Sequence, residues 1–233
     1  MALWTIAKVL CPEFSMRFDS INWMTDEAFN RYMRFVEKPD SINKGRRWMV
    51  YQLLRLTETT PGDTAECGVY RGASSYLICA FIEHASLPKT HLVFDSFEGL
   101  SQPLEIDGEY WQKNDLRATA TIAQKTLERF QKVEFYQGWI PERFPEVADR
   151  RFSFVHIDVD IYEPTRASME FFYPRTSDGG VILCDDYGFT SCPGATKAVD
   201  DFLRDKPEKM VALSDGGGFM IKGVPTSLPY SLD

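Results

Sequence analysis

Positive charge is scarce in this chain: 26 Lys and Arg stand against 34 Asp and Glu, for a formal net charge of −8. Nucleic acid needs a basic footprint to release the counterions on its phosphates, so no nucleic-acid partner is expected. Long apolar runs are missing too. No stretch approaches the roughly 20 residues of a membrane helix, and no membrane association is expected. Residues 1–14 are mildly apolar but contain Pro12 and lack a small-residue cleavage pattern, which argues against a signal peptide. The five cysteines, Cys11, Cys67, Cys79, Cys184 and Cys192, are odd in number and have no zinc-type spacing. Cys67 and Cys184 lie inside apolar strand-like runs and read as small buried hydrophobes, which fits a reducing cytoplasm. Neither GxGxxG nor GK[ST] occurs, so a dinucleotide fingerprint and a phosphate-cradling loop are both unsupported.

The remainder is ordinary for a globular protein, 44% hydrophobic and 26% charged, with a length that suits one domain with elaborations. Residues 1–47 are rich in Trp, Phe, Met and Arg and read as helical pieces broken near Pro12 and Pro39. We take them as an N-terminal helical lid, also a candidate interface between copies, ahead of a domain over 48–233. Met49, Leu53 and Leu56 fall on one face of a helix expected within 43–59.

After Pro61-Gly62-Asp63 a pattern of short apolar run, glycine or acid, then helix repeats along the chain. Strands are expected at 64–69, 91–94, 133–136, 152–157 and 181–184, with helices over 74–85, 118–130, 164–173 and 194–206 between or after them. Gly179-Gly180 reads as the turn into the fifth strand. Two further strands, 210–212 and 219–222, flank Asp215-Gly216-Gly217-Gly218. Alternating strands and helices imply an α/β fold: a mostly parallel, Rossmann-like sheet covered on both faces, with an antiparallel hairpin at its C-terminal edge. Ligands of such sheets bind beyond the carboxyl ends of the strands.

The acids at those ends are therefore the candidates. Asp95 closes the second strand, where a carboxylate either accepts both hydroxyls of a ribose or caps the next element. Phe154-Val155-His156-Ile157-Asp158-Val159-Asp160 and Leu183-Cys184-Asp185-Asp186 each run from buried strand into carboxylates. Four carboxylates cannot share a small site ionised without a cation, and hard oxygen donors suit Mg²⁺, Mn²⁺ or Ca²⁺. The alternative is that some of them cap the following helices. His156, inside its strand, reads as a core residue before a catalyst. Trp139 either stacks on a base or fills the core. Arg46, Arg47 and Arg71 are candidate partners for an anionic ligand group, with surface solvation open for at least one.

Seven segments in order resemble the TylF/macrocin O-methyltransferase family: GRRWMVYQLL (45–54), PGDTAECGVYRGAS (61–74), FDSFEGL (94–100), GWIPERFP (138–145), HIDVDIYEPT (156–165), GGVILCDDYG (179–188) and KAVDDF (197–202). The resemblance implies a class I methyltransferase sheet that uses S-adenosyl-L-methionine (SAM) and Mg²⁺, or Mn²⁺, to methylate a sugar hydroxyl in antibiotic biosynthesis. It implies a SAM pocket shaped by Glu66, Gly68, Val69, Tyr70, Gly72 and Ser74, with Asp95 and Ser96 at the ribose and Gly138 and Trp139 near the adenine. It further implies Asp158, Asp185 and Asp186 as metal ligands, Asp158 also bordering the cofactor, and Asp160 as general base. The acceptor would carry vicinal hydroxyls. A non-catalytic SAM or nucleoside binder of the same fold, and a nicotinamide-dependent oxidoreductase, are the competing readings. The intact carboxylate set argues against the first and the missing GxGxxG against the second.

Overall fold

The computed structural model describes residues 25–36 and 44–227, in two separate units divided between Pro39 and Asp40. The first contributes α1 (Glu27–Val36). Asp26 starts it, its carboxylate accepting the Phe29 N–H at 2.8 Å, and Phe29, Tyr32 and Met33 form its buried face. Most of the expected lid, residues 1–24 and 37–43, lies outside the described residues.

The second unit begins with α2 (Lys44–Leu56), which buries Val50, Leu53 and Leu54. It continues with β1 (Asp63–Cys67), α3 (Ala73–Ile82), β2 (His91–Asp95), α4 (Ala120–Leu127), β3 (Val133–Gln137), β4 (Phe152–Ile157), α5 (Tyr162–Phe172), β5 (Thr176–Cys184), α6 (Pro193–Leu203), β6 (Val211–Ala212) and β7 (Gly218–Ile221). The seven strands form one sheet ordered β3-β2-β1-β4-β5-β7-β6. The first five are parallel, and β7 runs antiparallel to both β5 and β6. The mostly parallel α/β sheet and its C-terminal antiparallel hairpin are as the sequence implies. No described helix is long and apolar enough to cross a membrane.

Strand composition explains the layering. β4 is buried at every position, as expected of a parallel strand covered on both faces. Side chains alternate along β2: Leu92 and Phe94 join the cluster containing Met169, Phe172 and Val199, whereas Val93 joins Cys79, Ala123 and Leu127 on the other face. Phe172 anchors the larger cluster, meeting Phe94, Phe144 and Phe152 edge-on at centroid distances of 5.9, 5.0 and 4.9 Å. A fully buried Phe of this kind is worth about 3–5 kcal/mol relative to Ala.

One element differs from expectation. Gly179 and Gly180 lie inside β5, which begins at Thr176, and do not form a turn before it. Phe152 pairs with Thr176 but Phe154 with Val181, so β5 carries extra residues in a bulge. The hairpin satisfies that bulge: the Gly179 N–H donates to Lys222 O and the Lys222 N–H to Gly180 O, both at 2.8 Å.

The chain builds β1, β2 and β3 outward on one side, then returns to place β4 beside β1. The topological switch point, where such sheets bind ligands, is therefore between β1 and β4. Register aligns the carboxyl ends there. Cys67 pairs with Ile157, and Ile157 with Cys184. The next row is Gly68, Asp158 and Asp185: the Asp158 N–H donates to Cys67 O, and the Asp185 N–H to Ile157 O, both at 2.8 Å.

Candidate active site

The β1 end makes a tight turn against its neighbours. Gly68 adopts φ +82°, and a Cβ there would fall 1.7 Å from the carbonyl oxygen of Asp158. Only glycine lets the two backbones approach this closely. The Asp95 carboxylate ties the turn to β2: Oδ2 accepts the N–H groups of Val69 (2.7 Å) and Tyr70 (2.9 Å), and Oδ1 accepts that of Phe97 (2.7 Å). Oδ1, with one donor, keeps a lone pair for a further one. The Gly138 N–H donates to Asp95 O at 3.0 Å, which brings the half-buried Trp139 to the same edge. Gly72 bonds back to Val69 O at 2.8 Å and precedes α3, in which Ser74 is buried. Ser96 Oγ accepts the Glu98 N–H at 3.0 Å. The structure thus gathers Gly68, Val69, Tyr70, Asp95, Gly138 and Trp139 around one turn.

Glu66 is fully buried. Its carboxylate accepts from Ser75 Oγ and lies 2.7 Å from His156 Nδ1. Burial works against its charge, but the bond from His156 and the His91 ring 3.7 Å away outweigh burial and hold it well below the usual carboxylate range.

Beyond β4 and β5 the four acids converge as the sequence implies. Asp186 Oδ2 accepts the N–H groups of Val159 (3.1 Å) and Asp160 (2.8 Å). Asp160, at φ +62°, turns its buried carboxylate toward Cys192, whose Sγ lies 3.9 Å from Asp160 Oδ1 and 4.0 Å from Asp186 Oδ1. Arg46 from α2 enters the cluster. Its guanidinium bonds Asp185 Oδ2, donates to Asp185 O at 3.1 Å, and stands 3.8 Å from both Asp158 Oδ1 and Asp186 Oδ1. Arg47 Nη1 lies 4.0 Å from Asp185 Oδ2. Arg46, expected as a partner for an anionic ligand, instead pairs with the chain's own acids, because the β5 end packs under the start of α2.

The environments divide the carboxylates. Burial opposes charge on Asp185, but Arg46 and His156 outweigh it and hold the group below its ordinary value. Burial and then the neighbouring Asp158 push Asp186 up to about 7. Burial followed by Asp186 raises Asp160 well above the usual range, and burial followed by Asp185 raises Asp158. His156, buried between two carboxylates, is pushed up to about 10: burial opposes its charge, and Asp185 then Glu66 outweigh it.

Two features were not legible in sequence. Asp107, in the polar stretch after β2, is buried, accepting the Tyr162 N–H at 2.7 Å and the Leu104 N–H at 2.8 Å. It therefore pins that stretch to the start of α5. Next to it, the Trp111 indole N–H points at Cys192 Sγ, 3.3 Å away. Neither residue belongs to a periodic segment, so only their neighbours in space reveal them.

The family model described as macrocin O-methyltransferase (TylF) matches residues 51–212, which run from α2 through β6 and include every acid above. The chain belongs to the TylF family. This TylF-family chain is 30% identical to the 8-demethyl-8-(2,3-dimethoxy-alpha-L-rhamnosyl)-tetracenomycin-C 4'-O-methyltransferase of Streptomyces olivaceus, over 60% of this chain and 58% of that protein. It is 28% identical to the mycinamicin III 3''-O-methyltransferase of Micromonospora griseorubida, over 63% of each. The chain thus spans about three fifths of the length of the curated relatives it matches. Among solved structures, the O-methyltransferase NovP superposes with a TM-score of 0.65 at 23% identity, over 76% of this chain and 79% of that one. The calicheamicin methyltransferase CalS11 superposes with a TM-score of 0.68 at 16% identity, over 91% and 96%. Both likenesses carry the fold.

Proposed function

We propose that this chain is a SAM-dependent O-methyltransferase that methylates a sugar hydroxyl of a secondary metabolite, with a neighbouring hydroxyl on the same ring. The observation that carries the reading is the convergence of Asp158, Asp160, Asp185 and Asp186 at the switch point, immediately beside the Gly68 turn. TylF-family membership, and one relative whose name specifies a rhamnosyl compound, support the acceptor class.

In this reading the turn at Gly68, Val69, Tyr70 and Gly72, with Ser74 behind it, receives the cofactor. Asp95 and Ser96 take the ribose, and Gly138 and Trp139 flank the adenine. Glu66 supports the pocket from beneath through Ser75 and His156.

The residues fit a divalent cation. A donor atom from each of His156, Asp158 and Asp185 lies within 4.8 Å of the others, and His156 Nε2 is buried without a hydrogen-bond partner. We assign Asp158, Asp185 and Asp186 to hold Mg²⁺ or Mn²⁺. When bound, that ion supplies Lewis acidity that lowers the pKa of a chelated hydroxyl. Asp160 takes the proton of the attacking hydroxyl. SAM, when bound, would supply the methyl, its C–S bond being exchanged for the new O–C bond with S-adenosylhomocysteine as the leaving product. Holding the two reactants in line removes much of the entropic barrier. The high proton affinity of Asp160 fits a base once added positive charge brings it into its working range.

The test is calorimetry with S-adenosylhomocysteine and with NAD, followed by methyl transfer from SAM to rhamnosylated and other vicinal-diol acceptors with and without chelator. Binding of S-adenosylhomocysteine and chelator-sensitive transfer are expected. Binding of NAD alone would overturn the proposal, and transfer undiminished by chelator would remove the metal from it.

A further inference from the structure

Two aromatic rings stand beside the acid cluster without belonging to the layers that pack the sheet. Tyr110 and Trp111 follow Asp107 in the stretch between β2 and α4, and neither joins the apolar clusters on the two faces of the sheet. Tyr110 is 67% exposed and Trp111 half-buried. Their rings meet edge to face, with centroids 4.8 Å apart and planes at 86°.

The backbone that carries them is fixed. Asp107 is buried and accepts the Leu104 and Tyr162 N–H groups. A Cβ on Gly194, in the first turn of α6, would fall 1.8 Å from Asp107 Oδ1, so this carboxylate is seated against the start of that helix. Beyond it the Trp111 N–H reaches Cys192 Sγ at 3.3 Å, and the same sulfur stands 3.9 Å from Asp160 Oδ1. One thiol therefore separates the indole from the proposed base. The indole N–H is spent on that thiol, and what Trp111 has left to offer a ligand is its ring face.

A base removes a proton only from a hydroxyl within about 2.6–3.2 Å. The reacting hydroxyl must accordingly touch Asp160, and the ring that bears it has Trp111 and Tyr110 for neighbours. A pyranose is amphipathic, with hydroxyls around its rim and C–H bonds on its faces. Carboxylates and a cation suit the rim. The electron-rich face of an aromatic ring suits the C–H bonds. We infer that Trp111 and Tyr110 form the platform for the acceptor's sugar ring, one C–H face lying on the aromatic rings and the vicinal hydroxyls turned toward Asp160. This rests on the proposed methyl transfer to a sugar and deepens it by naming the residues that select the acceptor. Because Asp107 fixes the platform in advance, little ordering cost is left to be met on binding.

The probe is methyl α-L-rhamnopyranoside, which has no aglycone to stack in place of the sugar, added to the full chain loaded with S-adenosylhomocysteine and Mn²⁺. Saturation-transfer NMR with irradiation of the protein's aromatic protons should label the sugar's ring C–H protons. Trp111→Leu and Tyr110→Ala should each raise the Kd of the rhamnoside about tenfold, whereas Trp111→Phe, which keeps a ring and loses only the N–H, should stay within about threefold. Calorimetry should show S-adenosylhomocysteine bound equally by all of them. Should Trp111→Leu fail to fold, Tyr110→Ala, at an exposed position, and the wild-type labelling pattern carry the test. Unchanged rhamnoside affinity in the variants, or no labelling of the ring protons, would overturn the platform and leave the methyltransferase reading standing. No rhamnoside binding by the loaded wild type would overturn both the platform and the sugar acceptor.

Discussion

The backbone N–H of Asp160 donates to Asp186 Oδ2 at 2.8 Å, and this bond makes the end of β5 responsible for the shape of the chain after β4. Asp160 sits at φ +62°, where a residue with a Cβ is strained by about 1–3 kcal/mol. It stays there because the Asp186 carboxylate takes two successive N–H groups, those of Val159 and Asp160. One acid thus positions the backbone of another.

Asp160→Asn keeps the side-chain shape, suits the left-handed backbone, and removes a like charge from beside Asp186 and Asp158. The variant should be more stable by about 1 kcal/mol in urea denaturation. It should bind S-adenosylhomocysteine normally while losing methyl transfer. Retained turnover would remove Asp160 as the base.

Two glycines separate backbone strain from collision. Gly68 and Gly188 share nearly the same φ, +82° and +81°, but a Cβ at Gly68 strikes Asp158 O at 1.7 Å, whereas one at Gly188 meets nothing within 4 Å. Gly188→Ala should cost about 1 kcal/mol. Gly68→Ala should cost at least about 3 kcal/mol and weaken S-adenosylhomocysteine binding. Equal losses in denaturation would show that the contact of β1 with β4 is not tight.

Arg46 is the cation that reaches Asp158, Asp185 and Asp186 together, so Arg46→Met should have opposite effects in two conditions. In chelator the variant should lose on the order of 3 kcal/mol, because buried carboxylates are left unpaired. With Mn²⁺ titrated in, it should bind the ion more tightly than the wild type, since no guanidinium must be displaced. Weaker binding would place Arg46 among the groups that help to hold the ion.

Acid sensitivity has a source far from the site. Glu208 is buried, accepting from Tyr173 Oη at 2.6 Å and the Gly223 N–H at 2.8 Å. Burial opposes its charge, but those bonds outweigh burial and hold the group at about 2, below its ordinary 4.5. Its stabilising contribution is therefore complete above pH 4.5 and is lost as pH falls from there through 2. Glu208→Gln should cost about 2 kcal/mol at pH 7, and its gap to wild type should narrow between pH 4.5 and 3. A gap independent of pH would mean that the carboxylate charge contributes nothing.

Much of the fold was legible because local pattern suffices for it. Uninterrupted apolar runs such as Phe152–Ile157 mark parallel strands, and the acids that follow mark their carboxyl ends. The β5 bulge was not legible, since Gly179-Gly180 reads as a turn until Lys222 is seen to pair with it from the hairpin.

The sequence by itself determined the alternation of strands and helices, the place of the Gly68 turn, and the four acids beyond β4 and β5, all of which follow from hydrophobic period and residue type within a few neighbours. Tertiary structure alone decided that Arg46 enters the acid cluster from 112 positions before Asp158, that Glu66 holds His156 across the β1–β4 pair, and that His156 Nε2 is left facing Asp185. These depend on strand order and register, which bring distant residues into one dry interior where charge must be balanced, and no local pattern encodes them.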